Sequence, residues 1–229
     1  MKKKPIAIFD IDGTIFRSSL TIELLELMNE KGVVSSASMK KIRQSQRRWQ
    51  NRESTNSYEL YLEKIWQTYQ KSLTRQSRAK IVALARRVLA EQKARTYVYT
   101  RDLYQKLRRT HILIAVSGSP TEIVEAYNKF LKFDYVFGTV FEVDNRGRYT
   151  GKILVKPSDN KKKFILDFLD RSGHNLKNSY GVGDTKSDAK FLSIVEHPIA
   201  FNPTRGFYKL ARRRGWKIVV ERKNVVYQL

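Results

Sequence analysis

Asp10 and Asp12 stand two positions apart, directly after the apolar run Pro5-Ile6-Ala7-Ile8-Phe9 and before Gly13 and Thr14. Such a pair has plain readings, since Asp-Gly is a strong turn signal. Two further stretches speak for chemistry. Ser117 and Gly118 follow the apolar Ile112 to Val116, and Gly183-Asp184 follow Ser179 to Val182. Carboxylates gathered without nearby cations repel one another, so Asp10, Asp12 and Asp184 together ask for a hard divalent cation with oxygen ligands, most simply Mg2+. An ionised aspartate, with a reference pKa of about 3.9, is also a nucleophile able to attack phosphorus once a metal offsets the charge. A second aspartate two positions on can protonate a leaving oxygen and then activate water. Ser117 and the Gly118 N–H, placed at a helix start, suit phosphoryl oxygens, and a nearby lysine would offset the growing charge. The chemistry these residues share is phosphoryl transfer.

These groups meet only if the chain folds to bring them together. Pro5 to Phe9, Ile112 to Val116, Tyr135 to Phe137, Ser179 to Val182, Pro198 to Phe201 and Lys217 to Val220 read as short buried strands. Between them, 102–109 and 161–169 read as helices. Ser119, Pro120 and Glu122 read as a capping-box start for another. Asp144-Asn145-Arg146-Gly147 reads as a hairpin turn within 141–152. This alternation predicts an α/β fold, a Rossmann-like parallel sheet with helices on both faces. Apolar clusters within Leu20 to Arg95, around Leu24, Tyr61 and Leu84, have helical spacing and interrupt the alternation. The expected organisation is a core formed by 1–16 and 96–229 with a helical domain, 17–95, inserted into it. Ligands of open α/β sheets bind beyond the carboxyl ends of the strands, where Asp10, Asp12, Ser117 and Asp184 all fall.

With 229 residues and 41% hydrophobic content, the chain can bury a sizeable core. It has no cysteine, which excludes disulfides, thiolate metal sites and cysteine nucleophiles. Met1-Lys2-Lys3-Lys4 is followed by too short an apolar run for a signal peptide, and no run has the length of a membrane span, so a cytoplasmic protein is expected. The formal charge is +23, and residues 40–95 carry 15 basic against 4 acidic residues, a net +11. A second basic stretch runs from Arg205 through Arg212-Arg213-Arg214 to Lys223. Charge of this density suits an anionic partner, whether nucleic acid, an acidic membrane surface or a phosphorylated substrate, although it also describes a solvated face. A nucleic-acid-binding module could use Trp49, Trp66 and Tyr69 for stacking. Those rings share helix faces with Leu and Ile, which places them in the helical core instead. Lys186 stands where a dinucleotide fingerprint needs its third glycine, and Thr185 where a P-loop needs glycine. His111, His174 and His197 have no spacing for a metal or a triad.

Asp10-Ile11-Asp12-Gly13-Thr14, the strand ending at Ser117, a lysine before the last acidic motif, and Gly183-Asp184-Thr185-Lys186-Ser187-Asp188 resemble the four motifs of the haloacid dehalogenase (HAD) superfamily of phosphatases. The order of parts and the ending EHPIAFNPTRGFYKLARRRGWKIV resemble its subfamily IB, the phosphoserine-phosphatase-like group. The resemblance implies a HAD-type core with the inserted helices as a cap, and a phosphomonoester hydrolase working through an aspartyl-phosphate. It implies Asp10 as nucleophile and Asp12 as general acid and base. Mg2+ would be held by the Asp10 carboxylate, the Asp12 backbone carbonyl and Asp184, with Asp188 supporting that shell or the lysine. Gly13, Thr14, Ser117, Gly118 and the lysine would bind phosphate. Lys156, Lys161, Lys162 and Lys163 are the candidates for that lysine, and Lys161, 23 positions before Asp184, fits the family spacing best. In phosphoserine phosphatases an acidic residue nine positions after the nucleophile reads the substrate amine, and an arginine of the inserted domain reads its carboxylate. Those positions hold Ser19 and Ile65 here. The expected substrate is therefore a small phosphorylated metabolite other than phosphoserine, with phosphoserine itself and a nucleic-acid-binding role as the alternatives. The basic insertion would favour a substrate with additional negative charge, such as a nucleotide, a polyphosphorylated metabolite or a phospholipid head group.

Overall fold

Strand β1 (Ile6–Phe9) is apolar at every position and buried at every position, as a strand covered on both faces must be. It is the middle of an eight-stranded sheet in a computed structural model that describes residues 4–223 and 225–229. Residues 2 and 3 of the basic start, and Asn224, lie outside the described residues. β1 pairs in parallel with β2 (Ile112–Pro120) on one side and β5 (Tyr180–Gly183) on the other. Beyond β2 comes β3 (Tyr135–Val143), parallel, then β4 (Tyr149–Val155), antiparallel. Beyond β5 come β6 (His197–Phe201) and β7 (Lys217–Arg222), parallel, and β8 (Val225–Gln228), antiparallel. The sheet order is β4-β3-β2-β1-β5-β6-β7-β8, with the topological switch at β1.

Alternation along the strands divides the core into two layers. Ala7 and Phe9 of β1 and Leu113 and Ala115 of β2 join one apolar cluster, while Ile6, Ile8, Ile114 and Val116 join the other. The second layer is covered by α7 (Lys161–Ser172), the short α8 (Ala189–Leu192) and α9 (Arg205–Arg213). The first is covered by α5 (Val98–Leu107) and α6 (Thr121–Leu131). It then continues without a break into α1 (Leu20–Glu30), α2 (Ser36–Gln50), α3 (Ser57–Leu73) and α4 (Arg78–Gln92). The chain enters and leaves this helical block side by side: the Arg17 N–H donates to the Arg95 carbonyl (2.8 Å) and the Tyr97 N–H to the Ile15 carbonyl (3.0 Å). Among the described residues no helix is long and apolar enough to cross a membrane.

Two local expectations need correction, and one helix of the expected helical block had no apolar cluster of its own. The capping box at Ser119 is absent: β2 runs to Pro120, the helix opens at Thr121, and no side chain caps it. Ser119 is drawn away because its hydroxyl is used by Asp12 and Thr21. Helix α2 had no apolar pattern to announce it, for it buries only Met39 and Ile42. The strand expected at 135–137 extends to Val143, since its outer half pairs with β4 across the turn at Asp144 to Gly147. That turn forms as read, with Gly147 at φ 72°.

Candidate active site

The four strand ends named by the sequence do converge. Asp10 continues β1, donating its N–H to the Val182 carbonyl at 2.9 Å, so its side chain starts from a fixed point. Its Oδ1 accepts from Lys161 Nζ at 2.5 Å. Its Oδ2 is buried with no hydrogen-bond partner. Lys161 is the first residue of α7, whose start is capped by Asn160 accepting from the Lys163 N–H. The same ammonium donates to Asp188 Oδ1 at 2.6 Å. Geometry thus separates the four lysines. Lys162 and Lys163 are exposed, and Lys156 pairs with Asp159 while lying 5.2 Å over the Trp66 ring.

Asp184 reaches the cluster over Gly13. A Cβ built on Gly13 would stand 2.3 Å from Asp184 Oδ2, and its φ of 77° lies in the region side chains disfavour. One carboxylate oxygen from each of Asp10, Asp184 and Asp188 lies within 4.8 Å of the others. Asp188 is nevertheless spent: beyond Lys161, it accepts from the Asp184 and Thr185 N–H groups and the Thr185 hydroxyl. Asp10 and Asp184 are the pair left open, with an unpartnered buried oxygen between hard donors, which fits a divalent cation. Burial pushes the Asp10 carboxyl up to about 7, helped by Asp188 and Asp12 and opposed by Lys161. Burial, then the Asp10 and Asp188 charges, hold Asp184 well above the usual range. For Lys161, burial pulls downward, but Asp10 and Asp188 outweigh it and keep the ammonium above its ordinary value.

Asp12 is held by three donors. Its Oδ1 accepts from the Leu20 N–H (2.6 Å), and its Oδ2 from the hydroxyls of Ser117 (2.6 Å) and Ser119 (2.8 Å). Ser117 is fully buried and gives its proton to Asp12, so it sits behind that carboxylate and not on the cavity wall expected of a phosphate ligand. Thr14 likewise falls away from the cavity. The tight turn closed on the Ile11 carbonyl tucks it under the loop, fully buried, with its Oγ1 unpartnered. Gly118 does face the cavity, but three residues before the start of α6 and not at a helix N-terminus. Ser119, read at first as a cap, is the residue that sequence reasoning missed on this wall. A second serine two positions beyond the first was its one signal.

The cavity over this floor measures about 1440 Å³. Asp10, Asp12, Gly13, Lys161 and Asp184 line its base, and α2 and α3 supply Trp49, Tyr58, Tyr61, Ile65 and Trp66 opposite. Tyr69 is core, as expected, but Trp49 and Trp66 are not wholly so. Burial raises the Tyr58 hydroxyl above its usual range, and the carboxylates of Asp184 and Asp10, which line the same cavity, raise it further. His111, by contrast, is structural: its Nε2–H donates to the Asn178 carbonyl (3.1 Å), leaving Nδ1 to accept from Thr110.

A sheet switching at β1 with an acidic rim there defines a class, and comparison with known proteins gives the family. A sequence model of the haloacid dehalogenase-like hydrolases matches residues 7–193, and the chain belongs to that family. Histidinol-phosphatase of Neisseria meningitidis serogroup C (strain 8013) is 24% identical over 94% of this chain and 98% of its own length. Among solved structures, a Bordetella pertussis Tohama I protein of unknown function superposes with a TM-score of 0.75 at 20% identity, covering 95% of this chain and 98% of that one. A phospho-aspartyl intermediate analogue of phosphoserine phosphatase superposes at 0.60 and 20% identity, covering 97% and 96%. The chain is thus a HAD-like hydrolase with the fold of the phosphoserine-phosphatase-like enzymes and with phosphatase-named relatives.

Proposed function

We propose that this hydrolase is a Mg2+-dependent phosphomonoesterase acting through an aspartyl-phosphate on Asp10. The observation that carries the reading is the Asp10 carboxylate itself: buried, gripped by Lys161 through Oδ1, and free at Oδ2 on the floor of the cavity. Asp10 and Asp184, with the Asp12 backbone carbonyl, would hold the ion, which supplies positive charge against the phosphoryl oxygens when bound. In the first half-reaction an Asp10 oxygen bonds to phosphorus, the P–O bond to the alcohol breaks, and the leaving oxygen takes a proton from Asp12. In the second, water adds to phosphorus, gives its proton to Asp12, and the Asp10–phosphate bond breaks. Ser117, Ser119 and the Leu20 N–H aim Asp12 for these transfers. Lys161 offsets charge at Asp10, and Asp188 fixes Lys161.

Residues 17–95 act as the cap, closing the site from water and choosing the leaving group. Ser19 and Ile65 both line the cavity, where neither can read an amino acid's charged groups as the resembling subfamily does, so phosphoserine is a poor fit. The small phosphorylated metabolite remains the substrate class. The full-length relative makes histidinol phosphate one member of the panel to test. The experiment is phosphate release from phosphomonoesters with Mg2+ and with chelator, comparing wild type with Asp10→Asn. Metal-dependent release lost in the variant supports the reading, and release that survives in Asp10→Asn refutes it.

A further inference from the structure

The cavity carries more than phosphoryl transfer requires. Trp49 stacks on Tyr61 at 5.4 Å and 14° and meets Tyr58 at 4.9 Å, and all three rings line the cavity above Asp10. Trp49 is still 37% exposed, at the end of a helix that buries only two other side chains, so the core does not need it. A large ring stacked on a neighbour and still partly exposed on a cavity wall is a platform for a planar group. The cavity, about 1440 Å³, is also larger than the roughly 300–1,000 Å³ of ordinary ligand pockets.

Charge points the same way. Arg17, Arg52 and Arg205 line this cavity together with Glu53, Glu59 and Glu63, and none of the three arginines has a carboxylate within ion-pair distance among the described residues, so their charge is free for a ligand. Arg52 is held at φ 55°, its N–H bonded to the Trp49 carbonyl at 2.9 Å, in the helix-ending position that glycine fills most easily. An L-residue there costs on the order of 1 kcal/mol. The residue in this strained position is an exposed arginine on the cavity lining.

Resting on the phosphomonoesterase reading, we propose that the substrate is a phosphomonoester whose leaving group carries a planar heterocycle and a second anionic group, the chemistry of a nucleoside bisphosphate. The ring lies on Trp49, and the second anion is met by Arg52 with Arg17 and Arg205. Five compounds separate the features: a nucleoside bisphosphate with its phosphates on separate hydroxyls, a nucleoside monophosphate, a hexose bisphosphate, glycerol phosphate and histidinol phosphate. Wild type should prefer the first by about 10-fold or more in kcat/KM over any other. Trp49→Ala should shrink the ring-bearing to ring-free ratio by about 10-fold, and Trp49→Phe should restore much of it. Arg52→Gly should lower the preference for the bisphosphate over the monophosphate while raising Tm, because glycine relieves the backbone. A merely structural arginine would not give these opposite signs. Ratios unchanged in the variants, or glycerol phosphate or histidinol phosphate preferred over the nucleoside bisphosphate, overturn the inference while Asp10-dependent turnover leaves the phosphomonoesterase standing. Turnover independent of Asp10, or none on any compound by folded, Mg2+-loaded protein, overturns both.

Discussion

A carboxylate buried against other carboxylates is costly until a cation joins it, and Asp184 is in that position. Asp184→Asn removes one of the opposed buried charges, so in chelator its Tm should exceed that of wild type by about 3 °C or more. Mg2+ should raise the wild-type Tm and leave the variant unmoved, with activity lost; differential scanning fluorimetry and phosphate release check both. Lys161 has the opposite sign. Lys161→Met would leave Asp10 and Asp188 buried without their shared cation, and chemical denaturation should show a loss of about 3–5 kcal/mol. Adding Asp188→Asn should recover part of it, although not turnover. Gly13→Ala would push a methyl into Asp184 Oδ2, and titration should show Mg2+ affinity down by about 10-fold or more. These residues could be read from the chain because each follows a strand or opens a helix, where position is set by local pattern. Ser119 and Trp49 read only as a cap and as core, since their partners lie 107 residues away at Asp12 and across a helix pair at Tyr61. Ser117 and Thr14 were legible as residues of the loop ends, but which way each hydroxyl points is decided by packing.

At the scale of elements, the strands were legible wherever both faces are buried, as in β1 and β2, and lost wherever one element only leans on another. β8 is exposed along its whole length and is held by pairing with β7, so its sequence shows no apolar alternation to a core. Helix α2 is likewise polar almost throughout, and its contacts are made by α1 and α3. The same dependence fastens the helical block to the sheet. The segment between α3 and α4 runs along the β3–β4 hairpin, with the Arg75 and Arg78 N–H groups donating to the carbonyls of Tyr149 and Gly147, and the Tyr149 N–H to that of Gln76. Gly151 lies against this seam at φ 92°, and a Cβ there would come within 2.7 Å of Thr74 Oγ1. Gly151→Ala should therefore cost about 1–3 kcal/mol and speed hydrogen exchange at the amides of Arg75, Arg78 and Tyr149. Thr74→Ala in the same chain should return only the steric part, because the backbone strain remains.

Over the whole molecule, the net charge of +23 sets how any anionic substrate arrives, whatever the site does with it afterwards. Nearly half of that excess lies in residues 40–95, which include two of the helices walling the cavity, so much of the positive charge stands beside the site. Raising ionic strength from about 0.01 M to 0.15 M shortens the screening length from about 30 Å to 8 Å. The kcat/KM for a multiply charged phosphomonoester should then fall about 3–10-fold, chiefly through KM, and less for an ester with a cationic leaving group. Arg47 and Arg48 lie in the last turn of α2, outside the acidic floor, and Arg47→Glu with Arg48→Glu reverses charge without touching Asp10 or its partners. The double variant should flatten the salt dependence and keep kcat at saturating substrate. A salt profile parallel to that of wild type would mean that the basic surface serves solvation and that the arginines within the cavity alone meet the anion.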